Sequence, residues 1–106
     1  MVQGTTPWLA VALRCSESTI AEIEITISQE SSSTEIKKLL SKGEVIKKAN
    51  KAHSTLAGVH LTQDETFLFD CGPYKIQARA KSIDGEVIAT RKGKGMVAES
   101  LSKEVL

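Results

Sequence analysis

The stretch YKIQARAKSIDGEVIATRKGKG, residues 74–95, decides the fold that the sequence predicts. It consists of two alternating runs, 74–83 and 86–95, on either side of Asp84 and Gly85. An Asp-Gly dipeptide between alternating runs is a strong hairpin signal, because a two-residue type I′ turn needs positive φ at both central positions. The stretch therefore predicts a β-hairpin that turns at Asp84 and Gly85.

The predicted hairpin places most of its positive charge on one face. With a two-residue turn, the cross-strand pairs are Lys81 with Ile88, Arg79 with Thr90, Gln77 with Lys92, and Lys75 with Lys94. The opposite face carries Ala, Ile and Val, and Arg91 is its exception. The candidate contacts for a polyanion or a protein partner are therefore Lys75, Arg79, Lys81, Arg91, Lys92 and Lys94.

Opposed like charges weaken strand pairing by roughly 0.2 to 1 kcal/mol. The cations of this face are either simply solvated or neutralised by charges from one of two sources. One source is internal: in TIAEIEITIS, residues 19–28, Glu22 and Glu24 share the polar face of an alternating strand. The other source is external: a polyanion whose phosphates contact the lysines, with binding that weakens as salt rises. The position of residues 19–28 in the sheet decides between the two.

Other stretches of the chain also alternate and predict strands. Residues 6–15 and 19–28, joined by the polar CSEST, favour a second hairpin at the start of the chain. The segments GVHLT (58–62) and TFLFDC (66–71) flank a polar QDE and predict two further strands. The last stretch, MVAESLSKEVL (96–106), predicts a short helix.

Two helices are predicted in the middle of the chain. The first begins at Ser32, which stands with Glu35 in capping-box spacing, and it ends at Gly43. The segment EVIKKANKAHSTLAG, residues 44–58, predicts the second, because its apolar residues recur at offsets of four, three and four. The apolar stripes of the two segments are out of phase, so a break at Gly43 is expected.

These elements predict a single α+β domain over residues 1–106. Its sheet is largely antiparallel, with two central helices and a short C-terminal helix, in the order ββ-αα-βββ(β)-α. An opening hairpin followed by a helix and further strands resembles the order of a β-grasp (ubiquitin-like) domain. The chain departs from that pattern in its broken helix and in having no C-terminal diglycine.

Composition argues against several classes of function. The 106 residues carry a formal net charge of +1 and 4% are aromatic, which disfavours a dedicated polyanion binder and a base-stacking module. Positive charge is nevertheless concentrated, with twelve Lys or Arg against six Asp or Glu in residues 36–95. No apolar run reaches the ~18 residues of a membrane span and no signal peptide is recognisable, so a cytoplasmic location without membrane contact is expected.

Catalytic, metal and cofactor motifs are weak in this sequence. The segment GKGMVA (93–98) has the spacing of a dinucleotide fingerprint, but the second strand and the acid that this motif requires do not follow it. His53 and His60 do not have the spacing of a metal pair, and neither a metal nor a cofactor is expected. Cys15 and Cys71 are expected to be reduced thiols, and a nucleophilic Cys71 assisted by a histidine is the enzymatic alternative.

The sequence favours a small non-enzymatic binding or regulatory module that acts through protein contacts. A strand edge is the expected docking feature, either for a partner protein or for self-association into an oligomer. The first alternative is a nucleic-acid or other polyanion binder that uses the basic hairpin face, residues 75–94. The second alternative is an enzyme with a cysteine nucleophile.

Overall fold

A computed structural model describes residues 1–51 and 53–101, and most of these residues lie in strands. Within them the only α-helix, α1, spans Gln63–Phe67, and 3₁₀ turns occur at Glu17–Thr19 and Leu40–Lys42. None of these helical segments is long and apolar enough to cross a membrane. The strands are β1 (Trp8–Leu13), β2 (Glu22–Gln29), β3 (Thr34–Leu39), β4 (Ile46–Ala49), β5 (Thr55–His60), β6 (Gly72–Lys81) and β7 (Val87–Val97).

The strands form two antiparallel sheets. Strands β1, β5 and β4 form a three-stranded sheet in that order, and β3, β2, β6 and β7 form a four-stranded sheet. The predicted α+β fold with two central helices is therefore wrong, and so is the resemblance to a β-grasp domain. The predicted opening hairpin is wrong as well, because β1 and β2 lie in different sheets.

Strand β3 takes the place of the first predicted helix. The hydroxyl of Ser32 donates to Oε1 of Gln29 at 2.6 Å instead of capping a helix, and Ser33 has a positive φ of 53°. These residues form a tight turn after β2, and the chain returns as a strand. Ile36 of that strand lies opposite Ile27 in the core.

Strands β4 and β5 take the place of the second predicted helix. In β5, the side chains of Thr55, Ala57 and Val59 are fully buried, which is the two-residue period of a strand. The polar Thr55 concealed this period in the sequence. Its hydroxyl donates to the carbonyl oxygen of Cys15 at 2.8 Å, so burial does not leave it unsatisfied. His53, with a φ of 60°, lies in the turn between the two strands.

Helix α1 begins within the residues expected to link two strands and takes the first two residues of the strand predicted at 66–71, and residues 68–71 form no strand either. Of the strand predicted at 58–62, residues 58–60 are the end of β5. The helix has a complete capping box. Thr62 Oγ1 accepts a hydrogen bond from the Glu65 amide at 3.1 Å, and Oε1 of Glu65 accepts one from the Thr62 amide at 2.9 Å. The capping-box spacing is therefore used at Thr62, whereas the same spacing at Ser32 is not.

The predicted basic hairpin is confirmed as the pair β6 and β7, but its turn differs from the prediction. The loop consists of the three residues Ile83, Asp84 and Gly85, and the Ser82 amide closes it by donating to the Glu86 carbonyl oxygen at 2.9 Å. Gly85 has a φ of 81°. This geometry is typical of a type I turn followed by one left-handed residue.

Two irregularities keep the register of this hairpin close to the prediction. The three-residue loop shifts the pairing by one residue, so Lys81 faces Val87 and the predicted pair with Ile88 is wrong. A bulge next to this pair then compensates for the shift. The remaining predicted pairs are all present: Arg79 with Thr90, Gln77 with Lys92, and Lys75 with Lys94.

The helix predicted at 96–106 begins as a strand. Met96 and Val97 belong to β7, and Ala98 forms a parallel bridge with Val2. Residues 102–106 lie outside the described part of the chain. The bridge places the first residues of the chain beside the end of β7.

The core lies between the two sheets and is mostly aliphatic. Ile23, Ile25 and Ile27 of β2 and Ala57 and Val59 of β5 are fully buried and belong to one apolar cluster. Burying an aliphatic side chain the size of isoleucine stabilises a fold by about 1.5 to 3 kcal/mol. The strict alternation of β2 therefore accounts for a substantial share of the stability.

The strand order is that of an immunoglobulin-type sandwich. In that architecture, strands B, E and D pair in one sheet and strands C′, C, F and G in the other. Strands β1, β5 and β4, and strands β3, β2, β6 and β7, take these places in the same chain order. Strand A of that architecture pairs with strand B, but among the described residues no strand pairs with β1 along that edge.

Candidate functional site

One side of the sandwich is open between the edge strands β1 and β7. Residues 1–3 cover only the far end of β7: the Ala98 amide donates to the Met1 carbonyl oxygen at 2.8 Å, and the Gln3 amide donates to the Ala98 carbonyl oxygen at 3.0 Å. Before this short bridge, no described strand pairs with the outer edge of either strand. We refer to the region between the two unpaired edges as the open side.

The unpaired backbone groups of β1 belong to alternate residues. The Pro7 carbonyl oxygen accepts a hydrogen bond from the Leu61 amide at 3.1 Å, so the odd-numbered residues of this segment face β5. The Ala12 carbonyl oxygen points the other way, because it accepts a hydrogen bond from Nη1 of Arg91 on β7 at 3.3 Å. The residues whose N–H and C=O groups face the open side are Trp8, Ala10 and Ala12.

Strand β7 shows the same alternation on its own edge. The Met96 carbonyl oxygen accepts a hydrogen bond from the terminal ammonium of Met1 at 2.9 Å, so even-numbered residues face away from β6. The backbone groups of Thr90, Lys92 and Lys94 therefore face the open side. The open side is thus bounded by two rows of unpaired backbone groups, one from each sheet.

An apolar floor lies between the two rows. The larger concavity on the open side has a volume of about 480 Å³, and a second one of about 370 Å³ shares Ala12 in its wall. Leu9 and Ile76 are half-buried in the larger one, and Val11 and Tyr74 are buried. Burial also raises the pKa of Tyr74. An added strand would therefore find the half-buried side chains of Leu9 and Ile76 beneath it.

The rim of the open side is cationic. Arg91, Lys92 and Lys94 line the larger concavity from β7, and Arg14 lines the smaller one from the end of β1. Neither lining contains Asp or Glu among the described residues. Arg91 stands opposite Ala78 on the inward face, as the sequence predicted, and it reaches across the open side because β7 is an edge strand.

The glycines of RKGKG are explained by packing. A Cβ atom added at Gly95 would lie 2.6 Å from the ring of Tyr74, and one added at Gly93 would lie 3.3 Å from Cγ2 of Ile76. Strand β7 continues through both glycines, so neither of them begins a helix or a phosphate-binding loop. The glycines leave room for the side chains that form the floor of the open side.

A second candidate surface is the outer face of the four-stranded sheet. Strand β2 pairs with β6, so the glutamates lie beside the basic hairpin. Oε1 of Glu24 lies 2.7 Å from Nη2 of Arg79, and this ion pair neutralises the arginine. Glu22 stands opposite Lys81, but its carboxylate accepts a hydrogen bond from the Ser41 amide at 3.0 Å.

Four lysines of this outer face, Lys75, Lys81, Lys92 and Lys94, have no carboxylate partner within the described part of the chain. Three of them, Lys75, Lys92 and Lys94, line a concavity of about 480 Å³ together with Thr26 and Ser28. Lys75 and Lys94 are direct cross-strand partners, so their charges reinforce one another. Of the six candidate residues, Lys75, Arg79 and Lys81 lie on the outer face, Arg91 lies on the open side, and Lys92 and Lys94 line both surfaces.

The histidines and cysteines lie in separate surroundings. Nδ1 of His53 lies 3.3 Å from the hydroxyl oxygen of a serine, and the ring of His60 lies 4.9 Å from the ring of Trp8. Both cysteines are free: Cys15 is half-buried, which raises the pKa of its thiol, and Cys71 is exposed. The described residues include no group of three or more His, Cys, Asp or Glu that could hold a metal ion.

The open side was missed by sequence analysis. The alternation of Leu9, Val11 and Leu13 predicted the strand, but it does not indicate which edge of that strand is free. The free edge follows from the pairing of β1 with β5, and residues 55–58 of β5 had been predicted as the end of a helix. To find the free edge of β1 from the sequence, residues 55–60 would have had to be predicted as a strand.

Comparisons with known proteins assign no family to the chain. No family model matches it. No curated protein and no solved structure matches it either. The strand order therefore describes the architecture alone, and the function has to be argued from the residues of the chain.

Proposed function

We propose that this chain is a protein-binding module that holds an extended segment of a partner protein by β-strand addition at the free edge of β1. The observation that carries the proposal is the row of backbone N–H and C=O groups at Trp8, Ala10 and Ala12 that pair with the backbone of no described strand, beside the apolar side chains of Leu9 and Ile76. Unpaired N–H and C=O groups on a sheet edge are a template for another extended chain. The inward side chains of the added strand would be buried against Leu9 and Val11.

A peptide suits this edge better than a nucleic acid does. Ala10 offers both a donor and an acceptor, and an extended peptide supplies both matching groups, whereas a phosphodiester supplies only acceptors. The floor is aliphatic apart from Tyr74, so it offers little stacking surface to bases. A polyanion would instead bind the outer face. Lys75 distinguishes the two surfaces, because it lines the concavity of the outer face and does not line the open side.

The proposal is tested with peptides selected on the immobilised chain from a phage-displayed library of random twelve-residue sequences. Ala10→Pro removes one donor from the free edge and leaves the ladder with β5 intact, because the Ala10 amide faces away from β5. Ala49→Pro on β4 is the matched control at the other edge of the same sheet. The Asn50 amide donates to the Ser54 carbonyl oxygen at 3.1 Å, so the Ala49 amide also faces away from β5.

We expect Ala10→Pro to weaken binding of a selected peptide by about tenfold or more, and Ala49→Pro to leave it unchanged. Equal affinities of both variants would contradict strand addition at β1. A different outcome is a selection that yields no peptide, while labelled single-stranded DNA binds in a salt-sensitive way and Lys75→Glu abolishes that binding. This combination would favour the polyanion surface. A dimer in sedimentation velocity that Ala10→Pro dissociates would make a second copy of the chain the occupant and would overturn the proposal.

A further inference from the structure

We infer, on the basis of the proposed function, that the segment bound at the open side is acidic. It is an extended peptide with apolar residues at alternate positions and a carboxylate that pairs with Arg91. The alternation follows from the floor, because every second side chain of an added strand points between the sheets. The carboxylate follows from the rim.

The charge of the rim selects against basic and neutral segments. Arg14, Arg91, Lys92 and Lys94 line the two concavities of the open side, and the described linings contain no carboxylate to balance them. A basic segment would place like charges side by side, and a neutral one would leave the cations in water. An acidic segment gains complementary charge along the whole rim.

Arg91 is placed to exchange its present partner for a carboxylate. Its hydrogen bond to the Ala12 carbonyl oxygen is 3.3 Å long, slightly beyond the usual range for N–H···O, and the side chain is exposed. A guanidinium has five donors in a planar fork and binds a carboxylate through two of them at once. Moving to a carboxylate would also release the Ala12 carbonyl oxygen to accept from an amide of the added strand.

Three pools of nine-residue peptides test the inference. All three carry Val, Ile, Leu or Phe at odd positions, with acetylated and amidated ends so that no terminal charge contributes. Even positions are Glu in the acidic pool, Gln in the neutral pool and Lys in the basic pool. Affinity is measured by fluorescence polarisation at physiological salt for the unmodified chain, for Arg91→Gln, and for the control Lys37→Gln, which changes an exposed lysine on β3 at the opposite edge of the four-stranded sheet.

The acidic pool is expected to bind about tenfold tighter than the neutral pool, the gain that one charge-assisted contact supplies. Arg91→Gln is expected to remove most of this advantage without changing the affinity for the neutral pool, and Lys37→Gln to have no effect. Equal binding of the acidic and neutral pools, both weakened by Ala10→Pro, would overturn the inference and leave strand addition standing. Binding of none of the pools would overturn both. The inference would also be overturned if Ala10→Pro left the binding of the acidic pool unchanged and single-stranded DNA displaced that pool. This result would assign the acidic peptides to the outer face.

Discussion

The ammonium nitrogen of Lys38 lies 2.7 Å from Oε2 of Glu65, and this ion pair joins edge strand β3 to helix α1. Both side chains are largely withdrawn from water, with 15% and 21% of their surface exposed. Glu65 also closes the capping box of α1. One carboxylate therefore stabilises both the helix that connects the sheets and the contact of that helix with β3.

Glu65→Gln is expected to lower the free energy of unfolding by about 1 to 3 kcal/mol at neutral pH, because it leaves the Lys38 charge partly buried without its close partner. Glutamine still serves as the third residue of a capping box, so the helix start is preserved. Urea unfolding measures the loss. Asp64→Asn, in the same first turn of α1 but without an ion pair among the described residues, is the control. A loss as large in Asp64→Asn would contradict the role assigned to the pair.

The same carboxylate gives the stability a dependence on acid pH. Burial raises the pKa of Glu65. The hydrogen bonds from Lys38 and the Thr62 amide, together with the charge of Lys38, lower this pKa by more than burial raises it, so it lies below its ordinary value. A group whose pKa is lower in the folded state stabilises the fold above its unfolded pKa, about 4.3 for glutamate, and loses this contribution as the pH falls through the folded value. Urea unfolding of Glu65→Gln should therefore depend less on pH than that of the unmodified chain as the pH falls from about 4.3 through the folded pKa of Glu65. Parallel pH profiles of the two proteins would show that Glu65 does not contribute.

The indole ring of Trp8 packs against Gly58 of the neighbouring strand, and this contact tests the pairing of β1 with β5. A Cβ atom at Gly58 would collide with the indole ring, so Gly58→Ala is expected to destabilise the fold by about 1 to 3 kcal/mol. In a Trp8→Ala background the collision is gone, and the same substitution should cost less than half as much. Urea unfolding followed by circular dichroism measures both costs, because the Trp8→Ala variants lack the only tryptophan of the chain. Equal costs in the two backgrounds would show that the ring does not lie on Gly58.

Lys92→Glu combined with Lys94→Glu is expected to leave the fold intact. Both side chains are exposed on β7, and Glu at position 94 would face Lys75 with opposite charge across the hairpin. The free energy of unfolding should change by about 0.5 kcal/mol or less in either direction, as for most surface substitutions. Thermal unfolding by circular dichroism measures this. A large loss of thermal stability would show that this face is buried.

The sequence predicted the elements in which side chains alternate without interruption. Ile23, Ile25 and Ile27 alternate with Glu and Thr, so β2 was predicted correctly, and so was the hairpin of β6 and β7. Whether Glu24 or an external polyanion would neutralise the basic hairpin was left open, because the answer depends on which strand lies next to β6. That neighbour is fixed by packing between distant segments, which local alternation does not record.

The middle of the chain was mispredicted for two physical reasons. Apolar residues at helical offsets in 44–58 arose by coincidence across two short strands and a turn. The buried positions of β5 include Thr55, a polar residue that is tolerated because its hydroxyl donates to the Cys15 carbonyl oxygen in the segment after β1. The same error prevented the prediction of the candidate site, because the free edge of β1 follows from the pairing of its other edge with β5.

Backbone amide hydrogen exchange at Ala10, followed by NMR in the free chain and in its complex with a selected peptide, tests strand addition most directly. The Ala10 amide faces away from β5, so the account predicts rapid exchange in the free chain and a slowing of about tenfold or more in the complex. The Val11 amide faces β5 and should be protected in both states. An Ala10 amide already protected in the free chain, or one whose exchange is unchanged when the peptide binds, would contradict the account.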